Sequence, residues 1–179
     1  MQMGAEVFNN CEVIDEVWFV PCGDREDKQL RTVGEHRLKM MKIALEEFYQ
    51  GDPTFKVFDL EIVNGKSIPT YYLMLRLEKL YKSHDFHFVI GTDLLPDLIR
   101  WDGGQEFVDN VKFIIYPRAG YQMPEKVPPQ CRVLKKEEVV YSQLSSTVLR
   151  QRIAETKLEH KKLGLVGITP LGVIKYIKE

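Results

Sequence analysis

The stretch with the clearest chemical potential is a hydroxyl-rich helix start at residues 145–150. Ser145, Ser146 and Thr147 are good N-cap residues, and a helix-compatible run that includes Arg150 follows them. The free N–H groups of a first helical turn, the positive end of its dipole and clustered hydroxyls can together hold a phosphate. Arg150 lies one turn after Ser146 and could add a guanidinium fork to the same oxyanion. The alternative is an ordinary capped surface helix with solvated arginines.

Other candidate residues follow the end of an apolar run. Residues 86–91 form a continuous predicted strand that stops at Gly91, and Asp93 comes directly after it. Gly91 allows a ligand to approach the backbone closely, and Asp93 either accepts hydrogen bonds from a ribose or acts as a plain N-cap. Further along, Trp101 either offers a flat face to a heteroaromatic ring or packs half-buried in the core.

Two basic residues near the first predicted strand are further candidates. Lys28 lies in the loop after that strand, and Arg37 lies on a helix that begins near the same edge. Both could contact phosphates, although charged runs are more often solvated faces. His84 and His87 straddle a strand entry without a carboxylate scaffold at ligand spacing, so the sequence predicts no metal bound by side chains.

Short β-branched or aromatic runs alternate along the chain with helix-length segments. This alternation is typical of βαβ units and a parallel sheet. Strands are predicted at 16–21, 55–63, 86–91, 112–116 and 131–134. Helices are predicted at 5–11, 35–50, 70–83, from about 94, 146–159 and 170–178. Since ligands of open parallel sheets bind beyond the carboxyl ends of the strands, the residues directly after each strand are the informative ones.

Composition narrows the class of protein. A chain of 179 residues that is 44% apolar predicts one domain. Its net charge of −1 gives no global attraction to nucleic acid or to an anionic membrane, so a small ligand is favoured over either. Three widely spaced cysteines suit a reducing compartment, and no apolar run reaches the roughly 18 residues of a membrane span. We expect a cytoplasmic protein, with the nucleus as the alternative.

Eight segments of the chain, taken in order, form a family pattern. They are VWFVP at 17–21, EHR at 35–37, DLEI at 59–62, PTY at 69–71, FVIGTD at 88–93, Trp101, YPRAGY at 116–121 and LSSTVLR at 144–150. The pattern resembles the nicotinamide/nicotinate mononucleotide adenylyltransferase family and covers nearly the whole chain. Single pieces are weak, but GxD, a following tryptophan and SSTxxR are specific in combination.

The resemblance implies a fold and a reaction. The fold is a doubly wound, Rossmann-like α/β nucleotidyltransferase domain with a parallel sheet. The reaction transfers AMP from ATP to a pyridine mononucleotide, giving NAD or its deamido form plus pyrophosphate, with Mg²⁺ as cofactor. The mononucleotide phosphate attacks the α-phosphorus of ATP directly, so the protein acts by positioning and by stabilising charge. Whether the chain forms a homo-oligomer is left open.

The resemblance also implies roles for single residues. Those matched to ATP contacts are Gly91, Asp93, Ser145, Ser146, Thr147 and Arg150. Those matched to mononucleotide contacts are Thr70, Trp101 and Arg118. Among them, Arg150 takes the catalytic role, and Trp101 stacks near the pyridine ring.

One departure from the family pattern concerns its first segment. The family begins with a strand, a Gly-rich turn and an HxGH-type histidine pair that grips the ATP phosphates, and the 179 residues contain none of these. We therefore expect a natural version that starts about 15 to 20 residues upstream. We expect dinucleotide synthesis from that longer version and not from these residues alone.

Two alternatives to the pyridine-nucleotide reading remain. One is a related adenylyltransferase that acts on phosphopantetheine or another phosphorylated acceptor, against which Trp101 favours a flat pyridine. The other is a degenerate member that binds a nucleotide or a protein without turnover, in favour of which the histidine motif is missing. The sequence leaves nicotinate and nicotinamide mononucleotides both open as acceptors.

Overall fold

The computed structural model describes residues 1–24, 32–140, 145–155 and 164–178. The helices are α1 (Gln2–Asn10), α2 (Gly34–Tyr49), α3 (Leu60–Val63), α4 (Thr70–Leu80), α5 (Gly104–Asn110), α6 (Ser146–Glu155) and α7 (Leu171–Lys178). The strands are β1 (Val17–Phe19), β2 (Phe55–Val57), β3 (His87–Gly91), β4 (Lys112–Tyr116) and β5 (Cys131–Val133). A 3-10 helix covers Leu95–Arg100.

Packing divides the chain into two compact units. The first unit comprises Met1, Glu16–Ser67 and Gln143–Glu179, and the second comprises Gln2–Asp15 and Ile68–Ser142. Every strand pair within the described residues is parallel, which confirms the predicted α/β class with parallel sheets. The single domain expected from chain length stays a prediction.

Strand β4 is the centre of the second unit, with β3 on one side and β5 on the other. Residues 113–116 of β4 are all buried, as expected for a parallel strand covered on both faces. On one face, Ile114 and Tyr116 share a core with Val7 and Cys11 of α1. This packing attaches α1 to the sheet.

The opposite face of β4 carries an aromatic cluster. The ring of Phe113 lies 5.1 Å from that of Phe107 and 6.2 Å from that of Phe88, measured between centroids. Trp101 stacks on Phe107 at 6.1 Å, and Tyr71 of α4 reaches the same ring at 6.2 Å. The cluster therefore fixes α4, α5 and the segment before α5 to the sheet.

In the first unit, α2 is the crossover that parallel pairing of β1 and β2 requires. The helix ends where Gln50 and Gly51 both take positive φ, so the glycine predicted just past its end is confirmed. Tyr49 in its last turn stacks on Phe55 of β2 with ring centroids 3.7 Å apart. Helix α7 packs against α2.

The predicted strand at 55–63 is wrong in its second half. Pairing stops after Val57, and residues 60–63 form α3. The apolar spacing changes from two residues to three between Val57 and Leu60, which is the spacing of a helix. The carbonyl of Asp59 accepts the first N–H groups of this turn.

The helix expected from about Leu94 is also corrected. The structure has a 3-10 helix, a break at Gly103 with φ of 69°, and then α5, which the sequence analysis did not separate. The other predicted elements are confirmed, with ends within three residues of those predicted. For α6, the predicted residues 156–159 lie outside the described part of the chain.

Candidate functional site

The carboxyl edge of β3 and β4 places two predicted site residues side by side. Gly91 and Tyr116 are the last register partners of the two strands. Asp93 and Arg118 each follow two residues later, and Arg118 Nε lies 3.7 Å from Asp93 Oδ2. Both side chains are about one quarter exposed, so a ligand can reach the pair. The predicted residues Gly91, Asp93 and Arg118 are therefore brought together.

Arg118 keeps most of its hydrogen-bonding capacity. The 3.7 Å separation from Asp93 is an ion-pair distance and exceeds that of a hydrogen bond. Among the described residues, neither Nη atom of Arg118 has a hydrogen-bond partner in the structure. A guanidinium in this state can bind a carboxylate or a phosphate through two parallel N–H groups.

Gly91 is required by its neighbours in the protein. A Cβ at this position would lie 2.3 Å from Asp93 Oδ1 and 2.9 Å from Arg118 Cγ. Contacts this short do not occur, so any side chain would push the ion pair apart. Close approach of a ligand at this glycine stays a prediction, and the structure adds a second reason for it, which is room for Asp93 and Arg118.

Thr92 is a residue at this edge to which the sequence analysis gave no role. Its side chain is buried, and its Oγ1 accepts a hydrogen bond of 2.9 Å from the backbone N–H of Arg118. Its own N–H donates to the carbonyl of Tyr116 at 3.0 Å. The sequence feature that could have pointed to Thr92 is a hydroxyl at the end of a continuous apolar strand. Polar side chains in such places are buried only when they form hydrogen bonds.

Trp101 lies just after the 3-10 helix, with extended backbone. It is half-buried, and one ring face stacks on Phe107 while Phe88 meets it edge-on. The packing that the sequence allowed is therefore present, and stacking on a pyridine ring stays a prediction for the exposed part. Thr70 is the first residue of α4 and is partly exposed.

In the first unit, the predicted helix start at Ser145 is confirmed. Ser145 Oγ accepts the N–H of Val148 at 3.3 Å, which is the hydrogen bond of an N-cap. Arg150 lies one turn after Ser146 and donates from Nη1 to Ser146 Oγ at 3.1 Å, while a shared oxyanion stays a prediction. Ser146, Thr147 and Arg150 are exposed, and no residue of α6 is buried. These donors face solvent with little role in packing.

Arg37, a predicted phosphate contact, is fully engaged with protein acceptors. Its Nε and Nη2 donate to the carbonyl of Cys22 at 3.0 and 2.6 Å, and Nη2 also donates to that of Gly23. Nη1 donates to the carbonyl of Thr32, and Nη2 lies 3.0 Å from Asp24. Arg37 therefore ties the residues directly after β1 to Thr32, and a phosphate would have to displace these partners. Lys28 lies outside the described residues.

Electrostatics at the sheet edge also involve Tyr116. Burial raises the pKa of its phenol, the carboxylate of Glu6 raises the pKa further, and the charge of Arg118 lowers it. The phenol donates to the carbonyl of Val140 at 2.7 Å. Tyr116 is thus neutral and serves to hold β4 in place beneath the Asp93 and Arg118 pair.

Possible metal ligands do not cluster in the described part of the chain. Within the described ranges, no three His, Cys, Asp or Glu residues form a group that could hold a metal ion. His84 contacts Ser83 and stacks on Phe86, while Nδ1 of His87 is buried without a partner among the described residues.

Helices in the described part of the chain are too short or too polar to cross a membrane.

Comparison with known proteins identifies the family. The model of the cytidylyltransferase-like family matches residues 5–152. A probable nicotinate-nucleotide adenylyltransferase of Oceanobacillus iheyensis is 30% identical over 176 residues, covering 98% of this chain and 84% of the relative. One of Methylacidiphilum infernorum is 27% identical, covering 93% of this chain and 76% of the relative.

Two solved structures of Plasmodium falciparum nicotinic acid mononucleotide adenylyltransferase share the fold. The complex with NaAD has a TM-score of 0.78 and 26% identity, covering 96% of this chain and 84% of that one. The complex with APC has a TM-score of 0.69 and 25% identity, covering 87% and 78%. Given the family match and the 30% identity to the Oceanobacillus protein, this chain belongs to the cytidylyltransferase-like nucleotidyltransferases, among the nicotinate-nucleotide adenylyltransferases.

Proposed function

We propose that this protein transfers AMP from ATP to nicotinate mononucleotide, forming the deamido form of NAD and releasing pyrophosphate. The observation that carries the proposal is similarity to nicotinate-nucleotide adenylyltransferases across nearly the whole chain. The arrangement at the carboxyl edge of β3 and β4 supports it, because ligands of open parallel sheets bind there. The enzyme therefore takes part in NAD biosynthesis.

The second unit supplies the residues proposed to contact the mononucleotide. Arg118 offers a guanidinium with unpaired Nη atoms to an anionic group of the ligand. Trp101 stacks beside the pyridine ring, held by the aromatic cluster behind it. Thr70, at the start of α4, is the third proposed contact. At the same sheet edge, Gly91 and Asp93 are proposed to contact ATP, where Asp93 can accept hydrogen bonds from ribose hydroxyls.

The first unit supplies the residues proposed to hold the ATP phosphates. The amino end of α6 presents backbone N–H groups and the hydroxyls of Ser146 and Thr147, all at the positive end of the helix dipole. Ser145 caps the helix and so fixes where those groups point. Arg150, paired with Ser146, adds the positive charge that a departing pyrophosphate requires.

The chemistry needs no nucleophile from the protein. An oxygen of the mononucleotide phosphate attacks the α-phosphorus of ATP, and the bond from that phosphorus to the β-bridging oxygen breaks. Charge grows on the bridging oxygen, and Arg150 stabilises it. Mg²⁺ enters as part of Mg–ATP, since this ion binds chiefly to phosphates and water in such sites and the described residues offer no cage of their own.

The setting of the reaction is part of the proposal. All three cysteines are free in the structure, which agrees with a reducing compartment. We place the enzyme in the cytoplasm, with the nucleus as the alternative. Whether it assembles into a homo-oligomer stays open.

The proposal is tested with protein expressed from its complete coding sequence. Mg–ATP is supplied with nicotinate mononucleotide, nicotinamide mononucleotide or phosphopantetheine, and products are identified by mass spectrometry. We expect the deamido dinucleotide, formed faster than NAD by on the order of tenfold. Adenylylated phosphopantetheine as the main product would replace this function with that of a related enzyme. Absence of any adenylylated product would favour a binding protein without turnover.

A further inference from the structure

We propose that Thr92 is a positioning residue for the mononucleotide, because its buried hydroxyl holds the backbone of Arg118 where β4 ends. The inference rests on the proposed function, in which Arg118 contacts the mononucleotide. Thr92 itself is only 2% exposed and is therefore not placed to touch a ligand. Its effect on the reaction must pass through its neighbours.

The Thr92 hydroxyl takes the place of one backbone hydrogen bond that regular pairing of β3 and β4 would continue with. In regular parallel pairing, the N–H of Thr92 would donate to Tyr116 and the N–H of Arg118 would donate to the carbonyl of Thr92. The first bond is present at 3.0 Å. The second is made instead to Thr92 Oγ1, at 2.9 Å. The side chain thus lets the chain leave the sheet after Tyr116 without orphaning the N–H of Arg118.

Pro117 directly follows the strand and has no N–H, so the first backbone donor after Tyr116 is that of Arg118. This N–H is partly buried, and leaving it without an acceptor is costly, which makes the Thr92 hydroxyl the group that fixes this backbone. The same segment then turns, with the N–H of Tyr121 donating to the Arg118 carbonyl.

Both members of the Asp93 and Arg118 ion pair depend on Thr92. Asp93 follows Thr92 directly in the chain, and the backbone N–H of Arg118 is held by the Thr92 hydroxyl. The pair is separated by 3.7 Å without a hydrogen bond that could fix it directly. Thr92 is therefore what keeps the Arg118 guanidinium over the sheet edge, where a bound anion can use its Nη atoms.

The test compares two substitutions with a matched control. Thr92→Val removes the hydroxyl and keeps the shape, whereas Thr92→Ser keeps the hydroxyl. We expect Thr92→Val to raise the KM for nicotinate mononucleotide about tenfold while the KM for ATP changes less than about twofold. Thr92→Ser should stay within about threefold of the unsubstituted enzyme. Thr169→Val is the control, because Oγ1 of Thr169 is buried without a partner among the described residues.

A double-mutant cycle separates positioning from general support. In an Arg118→Ala background, Thr92→Val should add less than about twofold to the mononucleotide KM, because the residue through which it acts is gone. An undiminished tenfold effect there would overturn the proposal. Equal increases in both KM values, or no rescue by serine, would also overturn it.

A second readout does not depend on turnover. If the unsubstituted protein forms no dinucleotide, the proposed function fails, but the Thr92 link can still be judged from hydrogen exchange of the Arg118 amide by NMR. Thr92→Val should speed this exchange at least about tenfold relative to the Thr92→Ser and Thr169→Val variants. Unchanged exchange would show that the hydroxyl does not hold Arg118.

Discussion

Asp93 and Arg118 occupy equivalent positions on neighbouring strands, each two residues beyond the register pair of Gly91 and Tyr116. Parallel pairing places both carboxyl ends at one edge, so an acid and a base that are distant in sequence face each other at 3.7 Å. The guanidinium of Arg37, by contrast, already donates hydrogen bonds to backbone carbonyls. Arg118 is thus the better candidate for an anionic ligand.

The Gly91 position gives a first prediction. Gly91→Ala should lower the free energy of unfolding by about 1 to 3 kcal/mol, because its Cβ would overlap Asp93 Oδ1 and Arg118 Cγ. Chemical denaturation measures this loss. In an Asp93→Ala background, Gly91→Ala should lower the free energy of unfolding by less than it does alone, because the nearest clashing atom is gone. Strictly additive losses would mean that the glycine is needed for another reason.

Trp101 gives a second prediction. Trp101→Ala should weaken binding of nicotinate mononucleotide by about 1 to 3 kcal/mol and leave ATP binding largely intact, on the scale of base–aromatic stacking. Calorimetric titration with each ligand measures both. Phe88→Leu is the control, because Phe88 meets Trp101 edge-on in the same aromatic cluster and is not a proposed ligand contact. Equal losses for the two ligands would make Trp101 a packing residue only.

Arg150 gives a third prediction. Arg150→Ala should lower kcat more than it raises the KM for the mononucleotide, because the interaction serves charge that grows during the reaction. Arg150→Lys should recover only part of kcat, since an ammonium cannot make a bidentate contact. The melting temperature should barely change, because the Arg150 side chain is exposed on a helix without buried residues.

Arg152 on the same helix is the matched control for Arg150. It is also exposed, and it donates to the carbonyl of Gly164. Arg152→Ala should leave kcat within about twofold of the unsubstituted enzyme. Full turnover in Arg150→Ala, or an equal loss of kcat in both variants, would mean that α6 is an ordinary capped surface helix.

Tyr116 gives a prediction on pH. Its pKa is raised above the ordinary value of 10.0, chiefly by burial, so the native state disfavours the phenolate. The stability tied to the neutral phenol is fully present below about pH 10 and is lost as pH rises through the raised pKa. At pH 8, Tyr116→Phe should cost about 0.5 to 1.5 kcal/mol through the lost bond to Val140, and this difference should shrink above pH 10.

Urea denaturation between pH 8 and 11 measures the Tyr116 effect. Tyr121→Phe is the control, since Tyr121 is 52% exposed. At pH 8 this exposed-residue variant should lose less stability than Tyr116→Phe. A constant difference between the Tyr116→Phe variant and the unsubstituted protein across this range would contradict the account of a burial-raised pKa.

The sequence predicted local features more fully than it predicted how residues combine. Strand β4 was predicted at its observed bounds because an apolar run buried on both faces has a continuous signature. Asp93 and Arg118 were both chosen as candidates, yet their contact depends on strand register, which no local pattern specifies. The boundary between β2 and α3 was missed although the apolar spacing changes there.

Two side chains show why roles were harder to predict than elements. Arg37 has the charge and place expected of a phosphate contact, which stays a prediction, and its partners in the structure are mostly carbonyls, which every residue has and which leave no sequence signature. Thr92 was overlooked because a threonine between glycine and aspartate is typical of a turn. Its role depends on the backbone N–H of Arg118, which follows the end of another strand.

Adenylyl transfer to nicotinate mononucleotide is tested by following dinucleotide and pyrophosphate together in one time course. Protein expressed from its complete coding sequence is given nicotinate mononucleotide and Mg²⁺ with equal concentrations of ATP and CTP. We predict the adenine-containing deamido dinucleotide and pyrophosphate in equal amounts, with kcat reduced in Arg150→Ala. Pyrophosphate released without dinucleotide, or a cytidine-containing product, would contradict this prediction.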